Sequence, residues 1–205
     1  MQLSDKYRPA AWSDVVGQDK AVGRLRALAG RGSLAGRAYW LSGQSGTGKT
    51  TLAKLIAAEV ADPFNVTELD AAALTVSDLI DIEREMRCTG LGVKNGRAYL
   101  VNEAHALRKP VIRQLLVMLE RIPAHVAVIF TTTTEGQEGL FEDCADSSPL
   151  LSRCLEFTLA KRGLAEAFAQ RALEIARQEG LDGQPTMAAV NVQDPLRRAE
   201  LEAQG

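Results

Sequence analysis

The chain has 205 residues, a formal charge of −2, and 46% hydrophobic against 24% charged residues, which is room for one α/β core and a small appendage. Near-neutrality excludes a tail that coats nucleic acid by charge alone, though not contact through a local basic surface shared between subunits. No apolar run approaches the roughly 20 residues of a membrane span.

Helix-like and strand-like segments alternate along the chain, the pattern of a parallel sheet wrapped by helices, hence an α/β fold. Gln18 to Ala29 reads as a helix closed by the Gly30-Arg31-Gly32 turn. Arg37 to Ser42 is a short apolar strand that runs into a glycine-rich loop, and Thr50 to Val60 is the helix that follows. Val66 to Leu69 is a second strand. Val76 to Arg87 is a second helix with Thr75 or Ser77 as its cap. Arg97 to Val101 is a buried strand by its unbroken apolar run. Pro110 opens a helix whose Val111, Ile112, Leu115, Leu116 and Leu119 recur on one face. Val126 to Phe130 and Leu155 to Leu159 are the last strands. A boundary falls near Lys161-Arg162-Gly163, dividing a core of residues 1–160 from a segment of residues 161–205. In that segment Leu164 to Glu179 is one helix ended by Gly180. Too short to bury a core of its own, it must lean on the rest of the chain or on a neighbour.

The N-terminus lacks the apolar stretch of a secretory signal. Cys88, Cys144 and Cys154 fit neither a disulfide framework nor a paired-cysteine zinc site. A reducing, cytoplasmic setting is expected.

The loop Gly43, Gln44, Ser45, Gly46, Thr47, Gly48, Lys49, Thr50 has the spacing GxxxxGK[ST], between a strand and a helix. Glycines let backbone amides close around phosphate oxygens, and the following helix points its positive end at them. Lys49 would bridge the β- and γ-phosphates of ATP, the Thr50 hydroxyl would take a Mg²⁺ position, and Thr51 completes the binding stretch. Downstream, the strand ending Leu100-Val101-Asn102-Glu103 carries the second acidic motif. Glu103 can polarise an attacking water. Asn102 stands where an aspartate would hold the Mg²⁺ shell, and its neutral amide can still accept a hydrogen bond from metal-bound water. Either turnover continues, or the chain binds ATP and hydrolyses it poorly. His105 reads as a cap or packing residue.

Four stretches together resemble the AAA+ family and, within it, the clamp-loader ATPases. These are Lys6-Tyr7-Arg8-Pro9 with Trp12 to Gln18, the phosphate loop, Asn102-Glu103-Ala104-His105 with the strand Val128 to Thr133, and Leu151-Ser152-Arg153-Cys154. The resemblance implies a P-loop nucleotide-binding core with a helical lid, abbreviated here. It implies that Val16 and Gly17 meet the adenine, and that Thr133, or Thr132 if the register slips, senses the γ-phosphate. Arg153 would reach in trans into a neighbour's ATP. Tyr7 and Trp12 are packing residues or adenine contacts. The implied partners are ATP, the neighbours of an oligomeric ring and, indirectly, DNA and a sliding clamp, with no membrane. A Holliday-junction branch-migration motor and a non-hydrolysing recruiting subunit are the alternatives. The resemblance also implies a second lid sensor, for which Arg197 in Asp194-Pro195-Leu196-Arg197-Arg198 is the sole candidate.

Overall fold

A computed structural model describes residues 3–143, 148–161 and 164–180. Arg197, and Arg162 and Gly163 at the expected boundary, lie outside the described residues. In chain order the elements are α1 (Leu3–Lys6), α2 (Asp19–Ala29), β1 (Arg37–Gly43), α3 (Lys49–Val60), β2 (Val66–Asp70) and α4 (Val76–Glu85). There follow β3 (Arg97–Asn102), α5 (Lys109–Leu119), β4 (Val126–Thr132), α6 (Thr134–Asp143), α7 (Ser148–Ser152), β5 (Cys154–Leu159) and α8 (Ala165–Glu179). Among the described residues no helix is long and apolar enough to cross a membrane.

The five strands are parallel and ordered β2-β3-β4-β1-β5. From β1 the chain crosses to the far edge, works inward through β3 and β4, then steps over β1 to β5. The carboxyl end of β1 therefore opens where connections depart in both directions, the place where open α/β sheets bind ligands.

Both sheet faces are covered, so the central strands alternate between two cores rather than between core and water. Trp40, Tyr99, Val101, Val128 and Phe130 face α4 and α5. Tyr39, Leu41, Leu100, Ile129 and Phe157 face α2 and α3. Trp40 and Phe130 stack tilted with centroids 5.5 Å apart, and the indole Nε1 donates to Gln137 Oε1 at 3.0 Å. Burying each such aromatic contributes about 2–3 kcal/mol. Tyr39 satisfies its buried hydroxyl by donating to Leu34 O at 2.7 Å, and burial pushes its pKa up to about 12.

Every element expected from the sequence is present, with bounds shifted by one or two residues. The helix after Thr75 stops at Glu85 rather than Arg87, because its last turn tightens: Arg87 N donates to Arg84 O and Cys88 N to Glu85 O. Pro110 is the second helical residue rather than the first, after Lys109. β4 runs on to Thr132, since Thr131 and Thr132 pair with Leu41 and Ser42 of β1. α6 and α7 were not expected. Two glycines and weak periodicity hide α6, which is held by Leu140 in the core and by the indole bond to Gln137.

Of the two candidate caps for α4, Thr75 is the one used. Its hydroxyl accepts from Asp78 N at 3.2 Å while Asp78 Oδ2 accepts from Thr75 N at 2.8 Å, a reciprocal capping box. Thr75→Ala is expected to lower unfolding free energy by about 1 kcal/mol, read as a lower urea midpoint at unchanged slope.

Candidate functional site

β1 ends in Gly43, and the loop to α3 folds back over the sheet edge. A Cβ on Gly43 would sit 2.8 Å from Leu159 O and 2.9 Å from Thr47 Oγ1, so the loop closes against β5 only because residue 43 has no side chain. Gly46 and Gly48 take left-handed φ of +77° and +92°, conformations open to glycine at little cost. The Thr47 hydroxyl donates to Gln44 O at 2.8 Å, bracing the turn from within. Gln44 and Ser45 are exposed at its tip, and Thr50 and Thr51 are half-buried in the first turn of α3.

Lys49 bends over this loop. Its ammonium donates to Gly43 O and Gln44 O, both at 2.9 Å. Burial lowers its pKa, and the nearby carboxylates of Glu103 and Glu135 oppose that shift. A cation held on two carbonyls beside a glycine-rich loop at a helix N-terminus is a seat for an anion.

The neighbouring strands bring polar side chains to the same end of the sheet. Asn102 closes β3, and its Oδ1 accepts the Thr131 hydroxyl at 3.1 Å. Glu103 follows at φ +54°, ψ +47°, a left-handed conformation that costs a non-glycine residue roughly 1–3 kcal/mol. That turn swings an exposed carboxylate out beyond the strand. His105 Nδ1 lies 3.4 Å from Glu103 Oε2 and 3.3 Å from Thr132 Oγ1. His105 thus touches two groups of the site rather than serving only as a cap. The Thr133 hydroxyl accepts from Gly136 N at 3.0 Å. In this structure the threonine expected to sense phosphate is occupied in starting α6, while Thr131 bonds Asn102 of β3 and Thr132 meets His105 just beyond it.

An apolar cleft adjoins the loop. Tyr7, Pro9, Val15 and Val16 of the N-terminal stretch line it together with Thr51 of α3 and with Phe168 and Ile175 of α8. The structure brings Val16 to this cleft. Gly17 is not among its lining residues; at φ +75° a Cβ on it would lie 2.3 Å from Leu164 Cδ2. Tyr7 is a cleft residue, whereas Trp12 packs beside α2 and α3 and donates to Glu59 Oε1 at 2.9 Å. Arg171 of α8 also lines the cleft. At the far end of α8, Glu179 Oε1 accepts from both Tyr7 Oη and Lys6 Nζ. These bonds hold the Glu179 carboxyl below its ordinary value.

Arg153 stands apart. The register Ala38↔Cys154 and Gly43↔Leu159 places it at the amino end of β5, roughly 17 Å of strand away from the phosphate loop. Its Nη1 donates to Pro149 O at 3.0 Å, its Nη2 pairs with Glu120, and its buried Nε has no partner among the described residues. It cannot serve this chain's own loop, and it lies half-buried near the surface. Reading the sequence alone misses Gln18, Phe168, Arg171, Ile175 and Glu179. The apolar spacing of the last helix, 168, 172, 175, signals a buried face but not what that face covers.

The family model described as the ATPase family associated with various cellular activities matches residues 39–143. DNA polymerase III subunit tau of Salmonella typhimurium is 33% identical over 186 residues, covering 77% of this chain and 26% of that protein. DNA polymerase III subunit gamma/tau of Mycoplasma pneumoniae is 30% identical over 201 residues, covering 87% of this chain and 28% of that protein. The chain spans about a quarter of the length of either relative. Among solved structures, a RuvB mutant from Thermotoga maritima superposes with a TM-score of 0.69 at 21% identity, covering 97% of this chain and 65% of that one. A DNA polymerase III gamma subunit-related protein from the same organism gives 0.60 at 12% identity, over 86% of this chain and 57% of that one. At these identities the superpositions speak to the fold alone.

Two outcomes test the geometry. Gly43→Ala forces a methyl onto backbone, so unfolding stability is expected to fall by about 1–3 kcal/mol in urea melts. Glu179 has a lowered carboxyl pKa, so its bonds to Tyr7 and Lys6 persist at neutral pH and are lost as pH falls through that lowered value. The Tyr7 ring shifts in NMR should therefore titrate below the ordinary glutamate range, and the titration should vanish in Glu179→Gln.

Proposed function

The chain belongs to the family of ATPases associated with various cellular activities, and from that premise we propose that it binds ATP with Mg²⁺ and hydrolyses it as one subunit of a clamp-loader-like ring. The observation that supports this most is Lys49, folded onto the carbonyls of Gly43 and Gln44 above a loop closed by glycines, with Glu103 at the end of the adjoining β3–β4 pair. In this reading the 1–160 core holds the nucleotide and the segment 161–205 belongs to its lid.

Val16 and the Tyr7–Phe168 cleft take the base, while Gly46, Thr47 and Gly48 wrap the phosphates with backbone amides. Lys49 leaves its two carbonyls for phosphate oxygens. The oxygen donors at hand suit Mg²⁺, a hard cation that keeps several waters. Thr50 would hold it directly, and Asn102 through water. Among the described residues no three His, Cys, Asp or Glu side chains cluster to hold a metal, so the rest of that shell would come from water and phosphate. When bound, Mg²⁺ neutralises charge building on the phosphate oxygens. Glu103 orients a water and accepts its proton. Thr133, or Thr132 beside it, is the sensing residue, and Thr133 must then exchange its bond to Gly136 for one to phosphate or water.

Arg153 fits the trans role because it lies at the sheet end away from its own loop. The relationship to gamma/tau subunits supports a cytoplasmic partner set of ring neighbours, DNA and a sliding clamp. One observation favours a second reading, weak turnover: Asn102 brings no charge, and its oxygen already accepts the Thr131 hydroxyl.

Steady-state ATPase rates taken across protein concentration test the proposal. Turnover is expected to rise more than linearly with concentration and to fall at least 100-fold in Lys49→Ala and Arg153→Ala. Mixing those two variants should restore part of it at sites that join an intact loop to an intact arginine. Nucleotide binding without turnover at any concentration overturns hydrolysis and leaves the binding role. Asn102→Asp is expected to raise kcat or Mg²⁺ affinity; no change in either removes residue 102 from the metal shell.

A further inference from the structure

We propose that Gln18 is the positioning residue that couples the phosphate loop to the lid helix α8. The inference rests on the nucleotide-binding reading above and adds a role for a side chain that touches neither base nor phosphate there.

Gln18 is one of few buried polar side chains among the described residues, 5% exposed. Its Nε2 donates to two carbonyls, Thr47 O at 3.2 Å and Ala160 O at 2.8 Å. The first belongs to the phosphate loop and the second to the stretch that leaves β5 for α8. One amide nitrogen thus joins two segments 113 residues apart, one hydrogen for each.

The consequence for the loop follows from peptide geometry. The described peptides are all trans, so the Thr47 carbonyl and the Gly48 N–H point in opposite directions within one rigid plane. Fixing the carbonyl on Gln18 aims the Gly48 N–H the other way, out of the Gln18 contact. Gly48, at φ +92°, lines the cleft. Gln18 therefore sets the direction of an amide that faces the nucleotide. If a bound phosphate rotates that plane, the carbonyl moves on Gln18, and the same nitrogen moves on Ala160.

The second half of the joint is apolar. Gly17 and Leu164 approach so closely that no Cβ fits between them, and Leu164 immediately precedes α8, which lines the cleft. A shift at residues 17–18 is delivered to the first residue of the lid by contact and to residue 160 by hydrogen bond. No charged group takes part, so the coupling does not depend on titration.

The test follows amide hydrogen exchange in α8 with and without AMP-PNP, beside the AMP-PNP dissociation constant. In the intact chain, nucleotide is expected to slow α8 exchange at least tenfold. Gln18→Leu keeps the volume and removes both bonds. It should bind about tenfold more weakly, the cost of buried carbonyls left without a donor, and at saturation α8 exchange should not respond. Gln18→Asn keeps the donor but is one methylene short of spanning both carbonyls, and should show the same uncoupling. It stands in if the leucine variant does not fold. An α8 response in either folded variant equal to that of the unsubstituted chain overturns the coupling, as does an unsubstituted chain that binds AMP-PNP with no response in α8. If the unsubstituted chain binds no AMP-PNP, the nucleotide reading itself falls and the coupling with it.

Discussion

The arrangement of the site depends on one crowded contact, the passage of Gly43 beneath Leu159 and Thr47. With nothing on its Cα, the chain turns at the end of β1 within van der Waals reach of β5, and α3 can start six residues on with its amide end over the sheet. Move that turn outward by a methyl and Lys49 loses the carbonyls it rests on. The sheet order then supplies the remainder. β4 lies on one side of β1 and β5 on the other, so the threonines of β4 and the exit toward α8 both meet the loop.

The core elements and the loop are legible in the sequence because each rests on a local rule: unbroken apolar runs for buried strands, a fixed glycine spacing for the loop, a hydroxyl cap, Thr75 or Ser77, at the start of α4. The residues that remained hidden act over long separations. Gln18 sits inside a recognisable stretch, but nothing local shows that its amide meets residues 47 and 160. Glu179 looks like the last polar residue of an amphipathic helix until Tyr7 and Lys6 arrive from the other end of the chain. α6 was hidden for a different reason. Its propensity is poor, with glycines at 136 and 139, and tertiary contact decides it: a Cβ on Gly136 would lie 2.6 Å from the His105 ring, so the glycine that weakens the helix is the one that lets it dock.

Asn102 changes the balance of the phosphate site in a way the fold partly absorbs. An aspartate there would face the Thr131 hydroxyl as a charged acceptor; the amide accepts the same hydrogen with no charge to compensate. Glu103 and Glu135 remain as the carboxylates acting on Lys49, and Glu103 is held out on a backbone turn that only a well-determined neighbourhood sustains. The site spends conformational strain on the carboxylate it keeps.

The bond between Tyr7 and Glu179 spans 172 positions, and it bears on the order in which the molecule is made. The cleft has walls from both ends of the described chain, so no contiguous fragment contains it. Loop closure over such a distance is entropically slow and gains nothing until the intervening sheet has formed. The sheet with its two cores can assemble first, but the cleft is completed only after α8 exists and has docked. On a ribosome, residues 1–160 would emerge able to close the loop after β1 yet unable to complete the cleft. A completed cleft is thus a record that synthesis has passed α8.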